Sequence, residues 1–579
     1  AVKQEGGVYV GWRMLGTDPS DIAFNLYRDG SKVNADPIGG ATNLFDASGT
    51  DSSIYVLKTV DASGKERTAS KETAVWQNQY LAVPIQKPTG GITPAGEAYT
   101  YSASDSSVGD LDGDGVYELI VKWDPSNAHD NSQAGYTGNV YIDAYKLDGT
   151  RLWRIDLGKN IRAGAHYTQF MVYDLDGDGK AEVAFKTADG TIDGTGAAIG
   201  EALADHRNSS GYILQGPEYL TVFDGLTGRA LTTTDYDPPR GIVSDWGDAY
   251  GNRVDRFLAA VAYLDGEHPS LIVSRGYYTR TVIVAYDYKN GELVKRWKFD
   301  SNDKEYGAAY TGQGDHNLSI GDVDRDGKDE ITFGAMAIDD NGKPLYNTGL
   351  GHGDAQHLGD LDPSRPGLEF FNVHEHADSP YGMDFRDAET GEVLWGVYTG
   401  IDTGRGMSAD IDPNYLGEEG WAATITNEQH IPITGLYSAK GELISTAIPA
   451  STNFGIWWDG DLSRELLDSN HIDKWDYANR TTNRLFTAEG ALSNNGTKAT
   501  PNLQADLFGD WREEAVWRSE DSSELRIYTT TDPTETRLRT LMHDPIYRLG
   551  VAWQNVAYNQ PPHTSFYLGT GMEEPPAPK

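Results

Sequence analysis

The 579-residue chain contains no cysteine, which excludes disulfide bonds and thiol chemistry. It also has no run of 18 apolar residues, so the sequence predicts no membrane-spanning helix and no membrane partner. The chain starts at Ala1 with neither a methionine nor the apolar core of a signal peptide. We therefore expect a secreted, extracellular protein from which the export signal has been removed.

Positive charge is scarce. The chain has 48 Lys and Arg against 87 Asp and Glu, a formal net charge of -39. Nucleic acid is excluded as a partner of the usual kind, because phosphate binding is driven by basic residues that release counterions. Such acidity can simply keep a protein soluble. Here many Asp residues stand two apart in turn sequences, which favours partial neutralisation by divalent cations.

Strand-forming residues and glycine are abundant, with 33 Tyr, 14 Trp and 66 Gly, and no long stretch has an apolar period of 3.6 residues. This composition predicts an all-β fold of short strands and tight turns. In residues 1–84 the alternation of Val8, Val10 and Trp12 and the turn at Asp29 and Gly30 predict a small β-sandwich resembling a fibronectin type III module. Residues 77–96, rich in Pro and Gly, are interpreted as a connector.

A short acidic loop of the form Asp-x-Asp-x-Asp-Gly-x-x-Glu recurs through residues 85–579. Three copies are complete: Asp110, Asp112, Asp114 and Glu118; Asp174, Asp176, Asp178 and Glu182; Asp322, Asp324, Asp326 and Glu330. Five are degenerate: Asp360 and Asp362 with Glu369; Asp410 and Asp412 with Glu418 or Glu419; Asp459 with Asp461; Asp506 with Asp510 and Glu514; and Asp265 after Tyr263.

Several copies are followed by a second hairpin, so each unit holds about four strands, the content of one propeller blade. Eight copies predict an eight-bladed β-propeller over residues 85–579. The units are long for blades, and their extra length should form loops that line one face and carry the function.

The spacing of the acidic loop indicates a calcium site. Carboxylates at positions 1, 3 and 5, Gly at 6 and Glu at 9 surround a hard cation with oxygen ligands, as in an EF-hand loop without its helices. We expect several structural Ca²⁺ ions, which brace the blades and take no part in chemistry.

Nine other segments together resemble the bacterial rhamnogalacturonan lyases, polysaccharide lyase family 11, whose catalytic unit is an eight-bladed propeller. They are YSA at 101–103, KWDPSN at 122–127, AHYTQ at 165–169, SDWGD at 244–248, GHGD at 351–354, GRGM at 404–407, FGIWW at 454–458, NNGTK at 494–498 and AYNQPPH at 557–563.

The resemblance implies a substrate and a reaction. The substrate is the pectic polysaccharide rhamnogalacturonan I, cut by β-elimination at O4 of galacturonate. We favour endo action. Exo action stays open, because residues 423–435 correspond in position to a loop that can block the cleft in this family. A non-catalytic calcium-binding lectin or adhesion propeller is the alternative from another class, and a monomer is the default expectation.

The resemblance makes Arg405 and Lys498 the catalytic candidates. A guanidinium can grip the uronate carboxylate with two hydrogen bonds, although Arg405 could instead pair with Asp410. Lys498 is the candidate base if its amine is neutral. It could also bind only the carboxylate, or be a solvated surface residue.

The implied substrate-binding residues are Asp124, Asn495, Gly496, Thr497 and Tyr558. Tyr558 would stack on a sugar ring, unless it is a core residue. Asn495 and the two residues after it could also be an ordinary turn.

A separate cation site is implied at His316, His352, Asp354 and Glu375. The resemblance implies a cleft Ca²⁺ at this site. Imidazole ligands are nevertheless more typical of zinc or manganese.

Overall fold

The computed structural model describes residues 1–427, 429–430, 432–555 and 558–577, and of residues 307 and 497 the backbone alone. Antiparallel sheets of short strands dominate the described chain, which confirms the all-β prediction. Its single α-helix is Pro545–Trp553, and its 3₁₀ helices are Val243–Trp246, Gly307–Tyr310, Gly496–Lys498 and Leu541–His543. No helix in the described ranges has the length and apolar character to span a bilayer.

Two small sheets form the amino-terminal unit around Val8, Val10, Trp12, Phe24 and Tyr55, all of which are buried. Apolar residues of the strands meet between the sheets, as the alternation of the sequence predicts. One sheet contains Val2–Gln4, Gly7–Gly11 and Asn43–Asp46; the other contains Ala23–Arg28, Ser31–Lys32, Ile54–Val60, Glu66–Ala69 and Thr73–Ala74.

Eight further antiparallel sheets follow in the described chain, numbered here one to eight. In order, the strands of sheets one to four are Tyr101–Gly109, Glu118–Pro125, Tyr141–Tyr145 and Arg151–Asp156; Phe170–Tyr173, Glu182–Ala188, Glu218–Phe223 and Ala230–Asp235; Phe257–Ala262, Ser270–Arg275, Val282–Lys289 and Glu292–Asp300; Ser319–Gly321, Glu330–Phe333, Met336–Ile338 and Pro344–Asn347. Short pairs extend this part of the chain at Gly91–Ile92 with Ala98–Tyr99, and at Thr191–Ile192 with Ala198–Ile199.

The remaining four sheets repeat the same plan. The strands of sheets five to eight are Ala355–Gly359, Glu369–Val373, Met383–Asp387 and Val393–Val397; Gly406–Ala409, Glu419–Ala422, Leu436–Tyr437 and Leu443–Ser445; Phe454–Ile456, Glu465–Asp468, His471–Asp476 and Thr481–Thr487; Leu503–Ala505 with Ala491–Leu492, Glu514–Ser519, Glu524–Tyr528 and Tyr80–Pro84.

The first strands of the sheets meet around the α-helix. From sheet one to sheet six, the first strand of each sheet contacts the first strand of the following sheet. The first strand of sheet eight contacts that of sheet one. Helix Pro545–Trp553 contacts the first strands of sheets one to four and of sheet eight. Its start is capped by Asp544, whose carboxylate accepts a hydrogen bond from Tyr547 N at 2.9 Å. Tyr547, Leu549 and Val551 are buried there.

Sheet eight is closed by a strand from far earlier in the chain. Tyr80–Pro84 pairs with Glu524–Tyr528, placing Tyr80 opposite Tyr528 and Pro84 opposite Glu524. By hydrogen bonding residues 80–84 belong to sheet eight, so the predicted division after residue 84 is wrong at this strand. Pro84 is tolerated because it lies at the end of an edge strand.

The acidic loops all connect the first strand of a sheet to its second. In seven sheets a glutamate at the start of the second strand fixes the loop; for example, Glu118 Oε2 accepts a hydrogen bond from Leu111 N at 2.8 Å. In sheet six the acceptor is Glu419, which bonds Ile411 N at 2.9 Å, whereas Glu418 lies 3.5 Å from His563. The seven glutamates are Glu118, Glu182, Glu330, Glu369, Glu419, Glu465 and Glu514.

Candidate active site

A cleft of about 720 Å³ brings together residues from two distant stretches of the chain, 102–166 and 469–558. Among the residues predicted to act on substrate, Asp124, Asn495, Gly496, Lys498 and Tyr558 all line it. Asp130, His166 and Arg518 line it as well. The prediction for Thr497 concerns a side chain that lies outside the described part of the chain.

Position within the repeat explains why these residues meet. Asp124 lies near the end of the second strand of sheet one, and Lys498 precedes the first strand of sheet eight. Both positions are at the ends of their sheets opposite the acidic loops, because those loops join the other ends of the same strands. Arg405, His352 and Asp354 also directly precede first strands. Most of the site is therefore built at one end of the sheets, and Tyr558 is added from the segment after helix Pro545–Trp553.

Lys498 lies on a tightly wound turn. It ends the 3₁₀ helix Gly496–Lys498, which is bounded by Asn495 at φ 58° and Ala499 at φ 50°. Left-handed backbone costs about 1–2 kcal/mol for a residue with a Cβ, and such strain is found where a site fixes local geometry. The Asn495 side chain anchors the turn by donating to Asp105 Oδ1 at 3.0 Å and to Thr500 Oγ1 at 2.8 Å.

The surroundings of Lys498 favour a neutral amine. The side chain is half-buried, and its Nζ lies 4.0 Å from the centre of the Tyr558 ring. Burial and the nearby Arg405 guanidinium lower the pKa of Lys498 from its ordinary 10.5, against an opposing effect of Asp354. Lys498 is therefore not a freely solvated surface lysine, and its environment suits a proton acceptor.

Arg405 presents unused hydrogen-bond donors. Its Nη2 donates to the Asn559 carbonyl at 3.2 Å, while Nε and Nη1 are buried without a partner. The alternative pairing with Asp410 is not formed, because the Asp410 carboxylate instead accepts from Thr570 N at 2.5 Å. Buried donors without partners are costly, so the guanidinium is prepared for a carboxylate that it can grip with two hydrogen bonds.

Tyr558 contacts both basic side chains. Its ring stacks on the His316 ring at 3.8 Å between centroids, and the Arg405 Cζ lies 5.5 Å from its centre. With His316 stacked on the ring and Lys498 only 4.0 Å from its centre, a sugar could stack there only if Lys498 moved. The Lys498 Nζ therefore lies over the face of the Tyr558 ring. Sugar stacking at Tyr558 stays a prediction.

Asp124 is half-buried near Lys122 and Asp105. Burial raises the pKa of Asp124, and its Oδ1 has no hydrogen-bond partner. An unpartnered buried oxygen is able to accept from a sugar hydroxyl, which is the role predicted for Asp124.

The predicted cation ligands also lie together beside the cleft. Donor atoms of His316, His352 and Asp354 all lie within 4.8 Å of one another. The His316 Nε2 is 3.3 Å from Asp354 Oδ1, and the His352 Nε2 is 3.3 Å from Glu375 Oε2. Four side chains predicted from sequence are thus brought to one place.

These residues fit a divalent cation. The His352 Nδ1 lies 2.5 Å from the Gly314 carbonyl. Its buried Nε2 makes no hydrogen bond, although Glu375 Oε2 is 3.3 Å away. A histidine that donates one N–H to a backbone carbonyl is the usual orientation for a metal ligand. Burial raises the pKa of Asp354 to about 7, and Asp402 and Glu375 add to this effect. A bound cation would supply positive charge next to the Lys498 and Arg405 side chains.

The complete acidic loops bring their carboxylates together in the same way. Asp174, Asp176 and Glu182 have carboxylate oxygens within 4.8 Å of one another, and so do the matching residues of sheets one and four, Asp110, Asp112 and Glu118, and Asp322, Asp324 and Glu330. In sheet four, Asp322 Oδ1 and Glu330 Oε1 are buried without a hydrogen-bond partner. In sheet one, by contrast, Lys146 Nζ lies 2.6 Å from Asp112 Oδ2. Oxygen-only donors suit calcium.

In the degenerate loops, other side chains of the protein pair with the carboxylates. Lys440 Nζ lies 2.6 Å and 2.7 Å from the two oxygens of Asp362. Lys474 Nζ lies 2.6 Å from Asp461 Oδ2 and 3.0 Å from Glu465 Oε1. Asp412 accepts a hydrogen bond from Asn414 N at 3.1 Å. In the loops of Asp362 and Asp461 a lysine ammonium therefore sits on the carboxylates, which weakens the prediction of an ion at Asp360, Asp362 and Glu369.

Two family models match the chain and together span nearly all of it. The model described as "Rhamnogalacturonan lyase family 11, C-terminal domain" matches residues 80–578. The chain belongs to rhamnogalacturonan lyase family 11. The model described as "Rhamnogalacturonan I lyases beta-sheet domain" matches residues 1–76. The chain is accordingly a polysaccharide lyase, and the predicted family is confirmed.

Two curated family 11 relatives come from Bacillus subtilis (strain 168). The chain is 65% identical over 578 residues to the rhamnogalacturonan endolyase YesW, covering 100% of this chain and 91% of the relative. It is 63% identical over 586 residues to the rhamnogalacturonan exolyase YesX, covering 100% of this chain and 95% of the relative. Since an endolyase and an exolyase are almost equally similar, identity does not distinguish the two modes of action.

Solved structures of family 11 lyases share the fold along the whole chain. The structure of YesW superposes with a TM-score of 0.96, covering 100% of this chain and 97% of that one. A Bacillus licheniformis rhamnogalacturonan lyase at 65% identity superposes with a TM-score of 0.97 and the same coverage.

Several residues of this lyase site were missed by the sequence reasoning. Tyr277 OH lies 2.9 Å from His316 Nδ1 and 3.1 Å from His166 Nδ1, while Tyr278 OH lies 3.0 Å from His316 Nε2. His166 is also 3.5 Å from Asp130. The signal that could have found them is position in the repeat: His166 precedes the first strand of sheet two, and Tyr277 follows the second strand of sheet three.

Proposed function

We propose that this lyase is a secreted, endo-acting enzyme. It cleaves the rhamnose-(1→4)-galacturonate bond of rhamnogalacturonan I by β-elimination and leaves an unsaturated galacturonate at the new non-reducing end. The observation that carries the proposal is the pair of basic side chains beside Tyr558: the Arg405 guanidinium with unused donors and the Lys498 amine with a lowered pKa. The family and the printed activities of its relatives supply the substrate class.

Arg405 and Lys498 have different roles in the reaction. The C5 proton of galacturonate becomes acidic enough for removal only when the adjacent carboxylate is neutralised, and Arg405 does this with its free Nε and Nη1 groups. The Lys498 amine takes the C5 proton. The electron pair of the C5–H bond forms the C4–C5 double bond, the bond from C4 to the bridging oxygen breaks, and that oxygen takes up a proton.

Asp124 and the Asn495 turn orient the sugar in this scheme. Asp124 Oδ1 is buried without a partner and would accept from a hydroxyl. Gly496 and Thr497 would offer backbone groups from the turn that carries Lys498. We propose that His316, His352, Asp354 and Glu375 hold one divalent cation, assigned as Ca²⁺, and that Ca²⁺ ions occupy the complete acidic loops.

The architecture proposed for the protein is an eight-bladed propeller. Eight successive four-stranded sheets, first strands in contact around one helix, and a last sheet closed by Tyr80–Pro84 support it. The amino-terminal unit, proposed as fibronectin type III-like, then ends before residue 80, with the catalytic propeller running from residue 80 onward. A monomer is proposed.

Exo action remains the second candidate because of the segment at residues 423–435. It starts next to the catalytic Arg405, whose carbonyl accepts a hydrogen bond from Ala423 N at 2.9 Å. Its described residues fold back on one another: Ile433 N donates to Ile425 O at 2.7 Å, and Ile425 N donates to Thr434 Oγ1 at 3.0 Å. None of the described residues of this segment is among those that line the cleft, which supports endo action. Glu428 and Ile431, also in the segment, lie outside the described residues.

Product sizing early in digestion tests the mode of action. Purified protein is incubated with rhamnogalacturonan I in calcium, and chain length is followed by size exclusion while ultraviolet absorbance counts the new double bonds. Endo action predicts a collapse in mean chain length at the first few per cent of bonds cleaved. A single small product released from otherwise intact polymer would show exo action, and no absorbance at all would overturn the proposed function.

A further inference from the structure

A β-bulge interrupts the first strand of sheet one beside the cleft. Ala103 lies opposite Trp123 and Ser106 opposite Val121, so Ser104 and Asp105 together face the single residue Lys122. A bulge of this kind re-aims a side chain and is common next to active sites. Here it places the Asp105 carboxylate, 3% exposed, in the protein interior.

The Asp105 carboxylate joins three separate parts of the chain. Its Oδ2 accepts from Lys122 Nζ at 2.7 Å. Its Oδ1 accepts from Asn495 Nδ2 at 3.0 Å and from Asn559 Nδ2 at 3.3 Å. The two asparagines also bond each other, with Asn495 Nδ2 3.1 Å from Asn559 Oδ1.

Each asparagine is directly connected to a residue of the proposed chemistry. Asn495 starts the left-handed turn that ends at Lys498. Asn559 follows Tyr558, and its carbonyl accepts the hydrogen bond from Arg405 Nη2 at 3.2 Å. One buried oxygen therefore ties the turn of Lys498 to the segment that positions Arg405.

We infer that Asp105 is a positioning residue for the elimination: its carboxylate, held by Lys122, sets the separation of the Lys498 amine from the Arg405 guanidinium. The inference rests on the proposed roles of those two residues. Asp105 itself touches no substrate, since it is buried beneath Asn495 and Asn559. A base misplaced by about 1 Å can cost about 100-fold in rate, so control of this separation matters for turnover.

The buried ion pair is hard to explain by stability alone. Lys122 is 2% exposed and Asp105 is 3% exposed, and removing two charges from water costs several kcal/mol per ion, by order of magnitude. Apolar residues of similar volume often stabilise a core as well or better. The Asp105 carboxylate accepts hydrogen bonds from two side-chain amides of different segments. The pair can therefore fix the relative position of those segments, which apolar residues could not do.

A matched pair of double variants isolates that task. Asp105→Asn/Lys122→Met and Asp105→Ala/Lys122→Met both remove the two buried charges, and they differ in the oxygen that accepts from Asn495 and Asn559. With rhamnogalacturonan I as substrate, we expect the Asn variant to retain kcat within about 3-fold of wild type. The Ala variant should lose 10- to 100-fold in kcat with KM changed less than about 3-fold, by order of magnitude.

Thermal unfolding separates positioning from stability. The inference requires the two double variants to have similar melting temperatures while their kcat values differ. Equal kcat in the Asn and Ala variants would overturn it, as would a loss of kcat that merely follows the unfolded fraction.

A single variant covers the case in which the double variants do not fold. Asn559→Ala leaves the Asp105–Lys122 pair intact and removes the side-chain amide that bonds Asp105 and Asn495. We expect kcat to fall at least 5-fold with little change in KM, and unchanged kcat would overturn the inference. A wild-type protein that makes no unsaturated product would instead refute the proposed function, so the two failures are distinguishable.

Discussion

The ionisation of Lys498 gives a direct test at the residue scale. A base must be neutral, so kcat/KM should rise with pH through the pKa of Lys498 in the free enzyme. Burial and Arg405 lower that pKa below 10.5, so the rise should be centred below pH 10.5. In Arg405→Gln one lowering influence is gone, and the midpoint should move to higher pH as overall kcat/KM falls. The measurement is the pH profile of kcat/KM for both proteins.

Arg518→Gln provides the matched control for that profile. Arg518 lines the same cleft but is not among the causes that shift the pKa of Lys498. Its profile should keep the wild-type midpoint even if KM changes. An acid limb that is the same in wild type and Arg405→Gln would argue that Lys498 is a carboxylate binder rather than the base.

Residue types near the cleft were predictable, but their orientations were not. Arg405, Lys498 and the histidine–acid set could be picked out because the family motifs contain them. That Tyr558 stacks on His316 depends on how the segment after helix Pro545–Trp553 lies beside the loop before sheet four, which no local motif encodes. The hydrogen bonds of Tyr277 to two histidines likewise arise from contacts between residues more than 38 positions apart.

At the scale of single elements, the strained turn that carries Lys498 should lower the stability of the protein and raise its kcat. Ala499 is held at φ 50°, a conformation that glycine adopts without steric cost. We expect Ala499→Gly to leave the free energy of unfolding unchanged or raise it by about 1 kcal/mol. The same change should lower kcat several-fold, because the turn that fixes Lys498 becomes looser. Thermal unfolding and steady-state kinetics measure the two effects.

Asn290→Gly is the control for the turn, because Asn290 has φ 53° in a hairpin of sheet three outside the residues that line the cleft. It should change stability in the same direction without affecting kcat. Normal kcat in Ala499→Gly would show that the strain at this turn has no part in placing Lys498.

The acidic loops should make stability depend on calcium. In Asp176→Ala one ligand of the proposed Ca²⁺ in sheet two is lost while the Glu182 bond to Leu175 N remains. If calcium affinity falls about 100-fold, the stabilisation by saturating calcium falls by about 2.7 kcal/mol. The rise in melting temperature between chelator and calcium should therefore be smaller than in wild type.

Asp224→Ala is the control in the same sheet. Asp224 caps a hairpin turn by accepting from Thr227 N at 2.8 Å and belongs to no acidic loop. Its calcium-dependent rise should equal that of wild type, even if its melting temperature is lower throughout. An identical rise in Asp176→Ala would contradict the assignment of calcium to these loops.

The repeated acidic loops made the strands and their connections predictable. The long-range strand pairing that closes sheet eight was not predictable. The spacing of the acidic loops located all eight connections between first and second strands. Nothing in the sequence around Tyr80 shows that its strand pairs with Tyr528, some 450 residues later, so the boundary was placed too late. The lysine that takes the place of a cation in a degenerate loop, such as Lys440 at Asp362, also comes from a different sheet.

For the whole molecule, the strand Tyr80–Pro84 should act as the closure of the ring of sheets. Deleting residues 1–84 removes this strand and leaves Glu524–Tyr528 as an unpaired edge, whereas deleting residues 1–79 removes the amino-terminal unit and keeps the strand. The shorter deletion should yield more soluble protein with a higher melting temperature. Equal melting temperatures would show that closure by this strand contributes little.

The central claim is that Lys498 and Arg405, which both lie beside Tyr558, carry out β-elimination on rhamnogalacturonan I. The most direct test is the initial rate of ultraviolet absorbance from the unsaturated uronate, compared with the rate of new reducing ends, for wild type and Lys498→Ala. We predict that the two signals rise together in wild type, and that both fall by at least about 100-fold in a folded Lys498→Ala variant. Reducing ends without absorbance, or a near-normal rate in Lys498→Ala, would contradict the account.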